Sequence, residues 1–116
     1  MKKLALLVLV ALVAACSTGS EKWGGYSEGQ AKDIIGSPQF RADVLQAAPP
    51  SSPTGLPYAQ LMPTQDEVDD ADLRKATLQG QEAWEYKDEA NGFCLYVWKD
   101  NERDSFATQV GPCSAD

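Results

Sequence analysis

Hydrophobic and polar residues alternate in two segments of the last third of the chain, 82–87 and 105–110, and this period of two predicts β-strands. Between them, 93–98 is a continuous apolar run of strand length, which predicts a strand with apolar residues on both faces. The loop 88–92 ends in Asn-Gly, a common hairpin signal, and the polar residues 99–104 separate the last two strands. The sequence therefore predicts a three-stranded antiparallel β-meander.

Apolar residues at three- and four-residue spacing predict two short helices before the strands. A capping box that starts at Ser27 begins a helix over 28–35. Gly36 is expected to end it in the left-handed conformation, and Pro38 to prevent its continuation. A second amphipathic segment covers 40–47.

The middle of the chain combines a proline-rich loop with an acidic segment. Residues 48–63 hold five of the seven prolines, so we expect an extended loop there. A second capping box joins Thr64 and Glu67, and acids followed by bases match a helix dipole. With Gly80 as the stop, this pattern predicts a helix over 65–78.

The N-terminus has the pattern of an export signal. Two lysines precede an apolar run over 4–13, which is too short to cross a bilayer of roughly 30 Å as a helix. Small residues then precede Cys16. We therefore expect residues 1–15 to be a cleaved signal peptide.

The sequence Val-Ala-Ala-Cys at 13–16 resembles the lipobox of bacterial lipoproteins. The resemblance implies cleavage after Ala15, a thioether-linked diacylglycerol on Cys16 and acylation of the new amine. Because Ser17 and not Asp follows the cysteine, it also favours the outer membrane over the inner one. The alternative is an ordinary secretory signal with a chance cysteine.

The expected mature chain is divided into a tether and one domain. Residues 16–26 are small, polar and glycine-rich, which is typical of a flexible linker. Residues 27–116 make a single small domain that contains the 48–63 loop. No second domain fits this length.

Charge and composition exclude several classes of function. The net charge is −7; residues 1–15 carry two lysines and no acid, so the remaining 101 residues carry −9. Such a chain is a poor candidate for binding nucleic acid or anionic lipid electrostatically. With no histidine, it has no Ser-His-Asp or Cys-His site and no histidine-bound zinc.

The acids at 66–72 are the one cluster that resembles a cation site. They lack the alternating ligands and the glycine of a calcium loop, so a solvated helix start explains them better. We expect no metal, no cofactor and no catalytic residue. A carboxylate pair would need a cleft for which a chain of this size leaves little room.

Cys94 and Cys113 are expected to form a disulfide, since an exported protein meets an oxidising compartment. Centring the last hairpin between Asn101 and Glu102 places Cys94 opposite Gln109. The tail after Gln109 must then turn back to bring Cys113 into reach. A redox or metal role is the alternative, without a Cys-x-x-Cys spacing to support it.

Four aromatic residues alternate on the first two predicted strands and are the candidate partner-binding residues: Trp84, Tyr86, Tyr96 and Trp98. If they share one face as two cross-strand pairs, helices can cover them as core. Left exposed, the same ladder is a platform for a partner, since aromatic residues dominate interface hot spots. The core interpretation is favoured.

The segments 27–38, 80–86 and 95–98 resemble small lipoproteins of the SmpA/OmlA type, a group that includes the small lipoprotein of the outer-membrane β-barrel assembly machinery. The family pattern is a helix ending in Leu-Gly-x-Pro, a Trp-x-Tyr strand and further antiparallel strands, and this chain has Ile-Gly-Ser-Pro at 35–38 and Trp-Glu-Tyr at 84–86. The resemblance implies an α+β fold with two short helices packed on the three-stranded sheet.

The expected function is therefore that of a lipid-anchored, periplasm-facing outer-membrane protein. It would bind an envelope protein, whose identity the sequence does not give, and support outer-membrane assembly or integrity. The alternative is a periplasmic inhibitor or ligand-binding module on a similar fold. In that case the acidic segment would mimic an anionic substrate.

Overall fold

The computed structural model describes residues 22–49 and 51–113, and their fold is α+β. Three helices accompany a two-stranded and a four-stranded antiparallel sheet. The helices are α1 (Glu28–Ile35), α2 (Pro38–Ala47) and α3 (Gln65–Asp70), with a 3₁₀ turn at Tyr58–Gln60. The strands are β1 (Lys22–Trp23), β2 (Tyr26–Ser27), β3 (Arg74–Leu78), β4 (Gln81–Asp88), β5 (Phe93–Asp100) and β6 (Ser105–Gly111).

The first helix forms over the predicted residues, and the second begins two residues earlier than predicted, at Pro38. The capping box of α1 is confirmed, because Ser27 Oγ accepts from Gln30 N and the Gln30 side chain accepts from Ser27 N. Gly36 has φ −83°, so the predicted left-handed stop is wrong. Ser37 caps α2 directly, and Pro38 occupies its first turn, where the missing N–H costs nothing.

The predicted helix over 65–78 is wrong in its second half. The capping box of Thr64 and Glu67 is present, but α3 ends at Asp70. The segment Arg74–Leu78 is strand β3, which pairs antiparallel with β4. The meander therefore has four strands in the order β3-β4-β5-β6, where three were expected.

The turn between β3 and β4 explains this difference. Gln79 and Gly80 have φ of 52° and 87°, and Leu78 pairs with Gln81 on either side of them. Two positive φ values in a two-residue connection are typical of a type I′ hairpin turn. Gly80 thus turns a hairpin instead of ending a helix.

The three helices lie on one side of the four-stranded sheet, which we call the helical face; the opposite side is the far face. The core on the helical face combines residues from α1, α2, α3, the 3₁₀ turn and the sheet. Its buried members are Ala31, Ile35, Phe40, Val44, Tyr58, Val68, Leu73, Trp84, Phe93, Leu95 and Val97. A smaller cluster of Ala76, Ala83, Cys94 and Tyr96 is buried on the far face.

The proline-rich loop packs against the domain through its C-terminal half. Ser51 and Pro57 form an isolated bridge, and the ring of Tyr58 meets that of Phe93 edge-on at 5.1 Å. Arg41 Nη2 donates to Ala59 O at 2.8 Å. The loop is thus held against the domain by Tyr58 and is not extended throughout the part that the structure describes, which leaves out Pro50.

The part of the expected tether that the structure describes, residues 22–26, is folded. With Ser27 it forms the β1–β2 hairpin, and Trp23 and Tyr26 pack against the main core. Trp23 Nε1 donates to Ala76 O at 3.1 Å, and Trp84 Nε1 donates to Tyr26 O at 2.9 Å. Residues 16–21, and with them Cys16, lie outside the described residues.

Candidate functional site

The far face of the sheet carries the disulfide, a buried carboxylate and one half-buried tryptophan. The predicted bridge is present: Cys94 and Cys113 are joined, with their Cα atoms 4.9 Å apart. The predicted register was off by two residues, since Cys94 pairs with Gly111 and Tyr96 with Gln109. Cys113 therefore lies two positions beyond the partner of Cys94, close enough for the bridge.

The predicted aromatic ladder on one face is wrong. Trp84 pairs with Val97, and Glu85 pairs with Tyr96, so Trp84 and Tyr86 lie on the helical face. Tyr96 and Trp98 lie on the far face. The error has a simple cause: side chains alternate with a period of two, so an odd offset between paired strands moves one whole set to the other side.

The four aromatic residues also differ in burial. Trp84 is 5% exposed and Tyr96 is 1% exposed, so both are core residues of their respective faces. Tyr86 and Trp98 are half-buried. Burial raises the pKa of Tyr86 above its usual 10.0, and the nearby Glu67 and Asp88 carboxylates raise it further.

A polar cluster centred on Glu85 lies beneath the C-terminal tail on the far face. Glu85 is 1% exposed, and its Oε2 is 2.9 Å from the Tyr96 hydroxyl. The same hydroxyl is 3.0 Å from Pro112 O, and Arg74 Nε is 3.7 Å from Glu85 Oε1. The cluster therefore ties three neighbouring strands to the tail that the disulfide holds in place.

Sequence reasoning missed Glu85 because it stands between Trp84 and Tyr86 in an alternating strand. The alternation correctly predicts that Glu85 lies on the face opposite to Trp84 and Tyr86. It also predicts that Glu85 is exposed, which is wrong. The missing signal is the tail at Pro112, since nothing in the pattern of β4 shows that the far face is also covered.

A pocket of about 520 Å³ opens beside Trp98, near the β3–β4 turn. Its lining residues are Thr77, Leu78, Gln79, Gln81, Trp98 and Gln109. A smaller pocket of about 340 Å³ lies along the β1–β2 turn and shares Gln81 with the first. Neither pocket is indicated by the sequence pattern, because the lining residues come from separate strands and turns that meet only in the folded sheet.

The acidic segment is exposed along α3 and the residues that follow it. Glu67 Oε1 accepts from Thr64 N, and Asp69 Oδ1 accepts from Gln65 Nε2. Within residues 22–49 and 51–113, no group of three or more His, Cys, Asp or Glu side chains is arranged to hold a metal ion. In the same ranges, no helix is long and apolar enough to cross a membrane.

Comparison of the chain with protein-family models, with curated proteins and with solved structures found no match in any of the three.

Proposed function

We propose that this chain is a lipid-anchored protein of the bacterial outer membrane that acts by binding an envelope protein. The proposal starts from the apolar run over 4–13 and from the Ala-Ala-Cys sequence that follows it. Acyl chains on Cys16 would hold the protein at the membrane, since each buried methylene contributes about 0.8 kcal/mol. The contact would serve outer-membrane assembly or integrity.

The observation that carries the proposal is the short distance along the chain between Cys16 and the folded domain. The hairpin begins at Lys22, six residues after Cys16, so the two Cα atoms are at most roughly 20 Å apart. A domain held so close to a bilayer meets membrane proteins far more often than a free one does, because confinement raises the effective concentration.

Leu56 supports a protein contact within the proline-rich loop. At 45% it is the exposed large hydrophobic side chain among the described residues. The bridge between Ser51 and Pro57 closes the loop around it, and Ser52 N donates to Leu56 O at 2.9 Å. An apolar side chain held on a closed loop loses little entropy on binding, which favours its use as an anchor.

Site-specific photo-crosslinking in cells tests this function. A photoreactive residue at position 56 should capture one membrane protein, and Leu56→Ser in a competing copy should not displace that product. The same residue at position 102, in the exposed β5–β6 loop, is the matched control and should capture nothing specific.

The Cys16→Ser variant, which has no lipid attachment site, should leave the outer-membrane fraction and lose the crosslink at position 56. The proposal is contradicted if the unmodified chain is found in the soluble fraction, or if positions 56 and 102 give the same products.

A further inference from the structure

The pocket beside Trp98 has an uncharged lining in a strongly acidic protein. It is formed by an indole, one leucine, one threonine and three glutamines, and none of these side chains ionises near neutral pH. Its volume of about 520 Å³ is within the range of small-molecule sites. A lining of this kind offers no charge to a phosphate, a carboxylate or a cation.

Trp98 differs from the other two tryptophans. Trp23 and Trp84 donate their indole N–H groups to backbone carbonyls, and Trp84 is buried. The indole of Trp98 is half-buried and, among the described residues, its N–H has no hydrogen-bond acceptor. Tryptophan N–H groups usually find a partner when they leave water, so this donor is available to a ligand.

The three glutamines supply further hydrogen-bonding groups. Gln81 Nε2 donates one hydrogen to Glu82 O at 2.9 Å, which leaves its second N–H and its carbonyl oxygen. Gln79 and Gln109 are exposed, and neither side-chain amide bonds to another group in the described part of the chain. Each offers both donors and acceptors at the pocket wall.

We propose that this pocket binds a neutral carbohydrate. The C–H groups on one face of a pyranose ring pack on the flat indole of Trp98, while the ring hydroxyls exchange hydrogen bonds with the glutamine amides. A sugar hydroxyl can donate and accept hydrogen bonds, as a glutamine amide can, so the two match each other. A carboxylate only accepts and an ammonium group only donates, so a charged ligand fits these amides less well.

The adjoining pocket favours an oligosaccharide over a single sugar. Its lining includes Asn101 and one residue of each charge, Glu82 and Lys99, and it shares Gln81 with the first pocket. A linear chain of two or three sugars can therefore place one ring on Trp98 and the next beside Asn101. This activity goes beyond the proposed protein contact and does not depend on it.

NMR titration of the full chain, in a detergent without a sugar headgroup, tests the proposal. The probes are an N-acetylglucosamine trisaccharide, a glucose trisaccharide and, as the ionic control, inorganic phosphate. A saccharide should shift the Trp98 indole N–H signal and the Gln109 amide signals saturably, with a Kd of about 1 mM. The Trp23 and Trp84 indole signals serve as internal references.

Substitutions make the test specific. Trp98→Ala and Gln109→Ala should each weaken saccharide binding by roughly tenfold, since each loses one side-chain contact. Trp98→Phe, which keeps an aromatic face but lacks the N–H, should bind with intermediate affinity. Gln46→Ala, at an exposed glutamine on α2 away from the pocket, should bind as the unmodified chain does.

The outcomes separate clearly. Binding of either saccharide at Trp98 supports the proposal, and the tighter one shows whether the site favours acetamido sugars. The proposal is overturned if phosphate alone shifts the Trp98 signal, or if neither saccharide does up to about 20 mM, well above the expected Kd. Unchanged binding by a folded Trp98→Ala variant would overturn it as well.

Discussion

Two kinds of residue in this fold stand in environments that constrain their chemistry, and both make the structure testable. Tyr26 and Tyr86 are partly withdrawn from water beside carboxylates, and Gly24 has a backbone conformation and a neighbourhood that admit no side chain. Each position links one atom-level feature to the stability of the whole domain.

The pKa values of Tyr26 and Tyr86 are raised above 10.0, first by burial and then by nearby acids. A raised pKa means that the folded state keeps its phenolic proton more tightly than the unfolded state does. The stabilisation is therefore complete below pH 10 and is lost as the pH rises through the folded pKa values.

Tyr86→Phe should accordingly reduce the loss of stability that sets in as the pH rises above about 10. Guanidinium unfolding at several pH values measures this effect as a slope of unfolding free energy against pH. An equal slope for the variant and the unmodified chain would contradict the role assigned to Tyr86.

Gly24→Ala should destabilise the domain by about 1–3 kcal/mol. Gly24 has φ +63°, and a Cβ there would lie 2.6 Å from Glu82 O. The matched control is Gly29→Ala in α1, where a Cβ meets nothing within 4 Å. That change should stabilise by roughly 0.5–1 kcal/mol, because alanine favours helix.

Thermal unfolding of the two glycine variants compares them directly. If Gly24→Ala and Gly29→Ala shift the Tm in the same direction, the result contradicts the close contact between the β1–β2 turn and β4 at Glu82.

At the scale of elements, local signals specified the starts of α1 and α3 and the last three strands of the sheet well. Ser27 and Thr64 cap helices where the sequence predicted, and β6 lies where Phe106, Thr108 and Val110 alternate. These signals depend on residues within one turn or one strand, and tertiary contacts do not override them here.

Strand β3, in contrast, could not be predicted from local sequence signals. Arg74–Leu78 is short, and the preceding acids and capping box make a helix equally consistent with the local pattern. What decides in favour of a strand is its pairing with β4, in which Ala76 lies opposite Ala83 and is buried. The register between β5 and β6 depends on where the turn of their loop is centred. The predicted centre was wrong, so the predicted partners of Cys94 and Tyr96 were wrong by two residues.

The β3–β4 turn gives a prediction at this scale. Gln79 has φ 52°, a conformation that asparagine adopts more readily than glutamine does. Gln79→Asn should therefore stabilise by about 0.5 kcal/mol, and Gln79→Val should destabilise by about 1 kcal/mol. Chemical denaturation of both variants checks the turn; the reverse order of stability would be incompatible with it.

The disulfide links β5 to the C-terminal tail across a separation of 19 residues. Closing a loop of this size is worth about 3 kcal/mol in the chain-entropy estimate. The double variant Cys94→Ala, Cys113→Ala should lose approximately that amount in urea unfolding, and reductant should then have no further effect on it. A loss below about 1 kcal/mol would show that the bridge does little for the fold.

At the scale of the whole molecule, the domain has two separate candidate binding surfaces, and a segment of six residues connects it to Cys16. Leu56 lies on the proline-rich loop, and Trp98 lies on the far face of the sheet. The sequence favoured a buried aromatic core and left an exposed binding surface as the alternative; the register decides that Trp98 alone of the far-face pair is accessible. Trp84 and Tyr96 became core because both faces of the sheet are covered.

The measurement that tests the central claim most directly is the intact mass of the protein from the membrane fraction, with and without reductant. We predict the mass of residues 16–116 plus a diacylglycerol and an acyl chain, rising by about 2 Da on reduction as the bridge takes up two hydrogens. A mass without lipid would contradict the anchor, and with it the proposed work at the outer membrane.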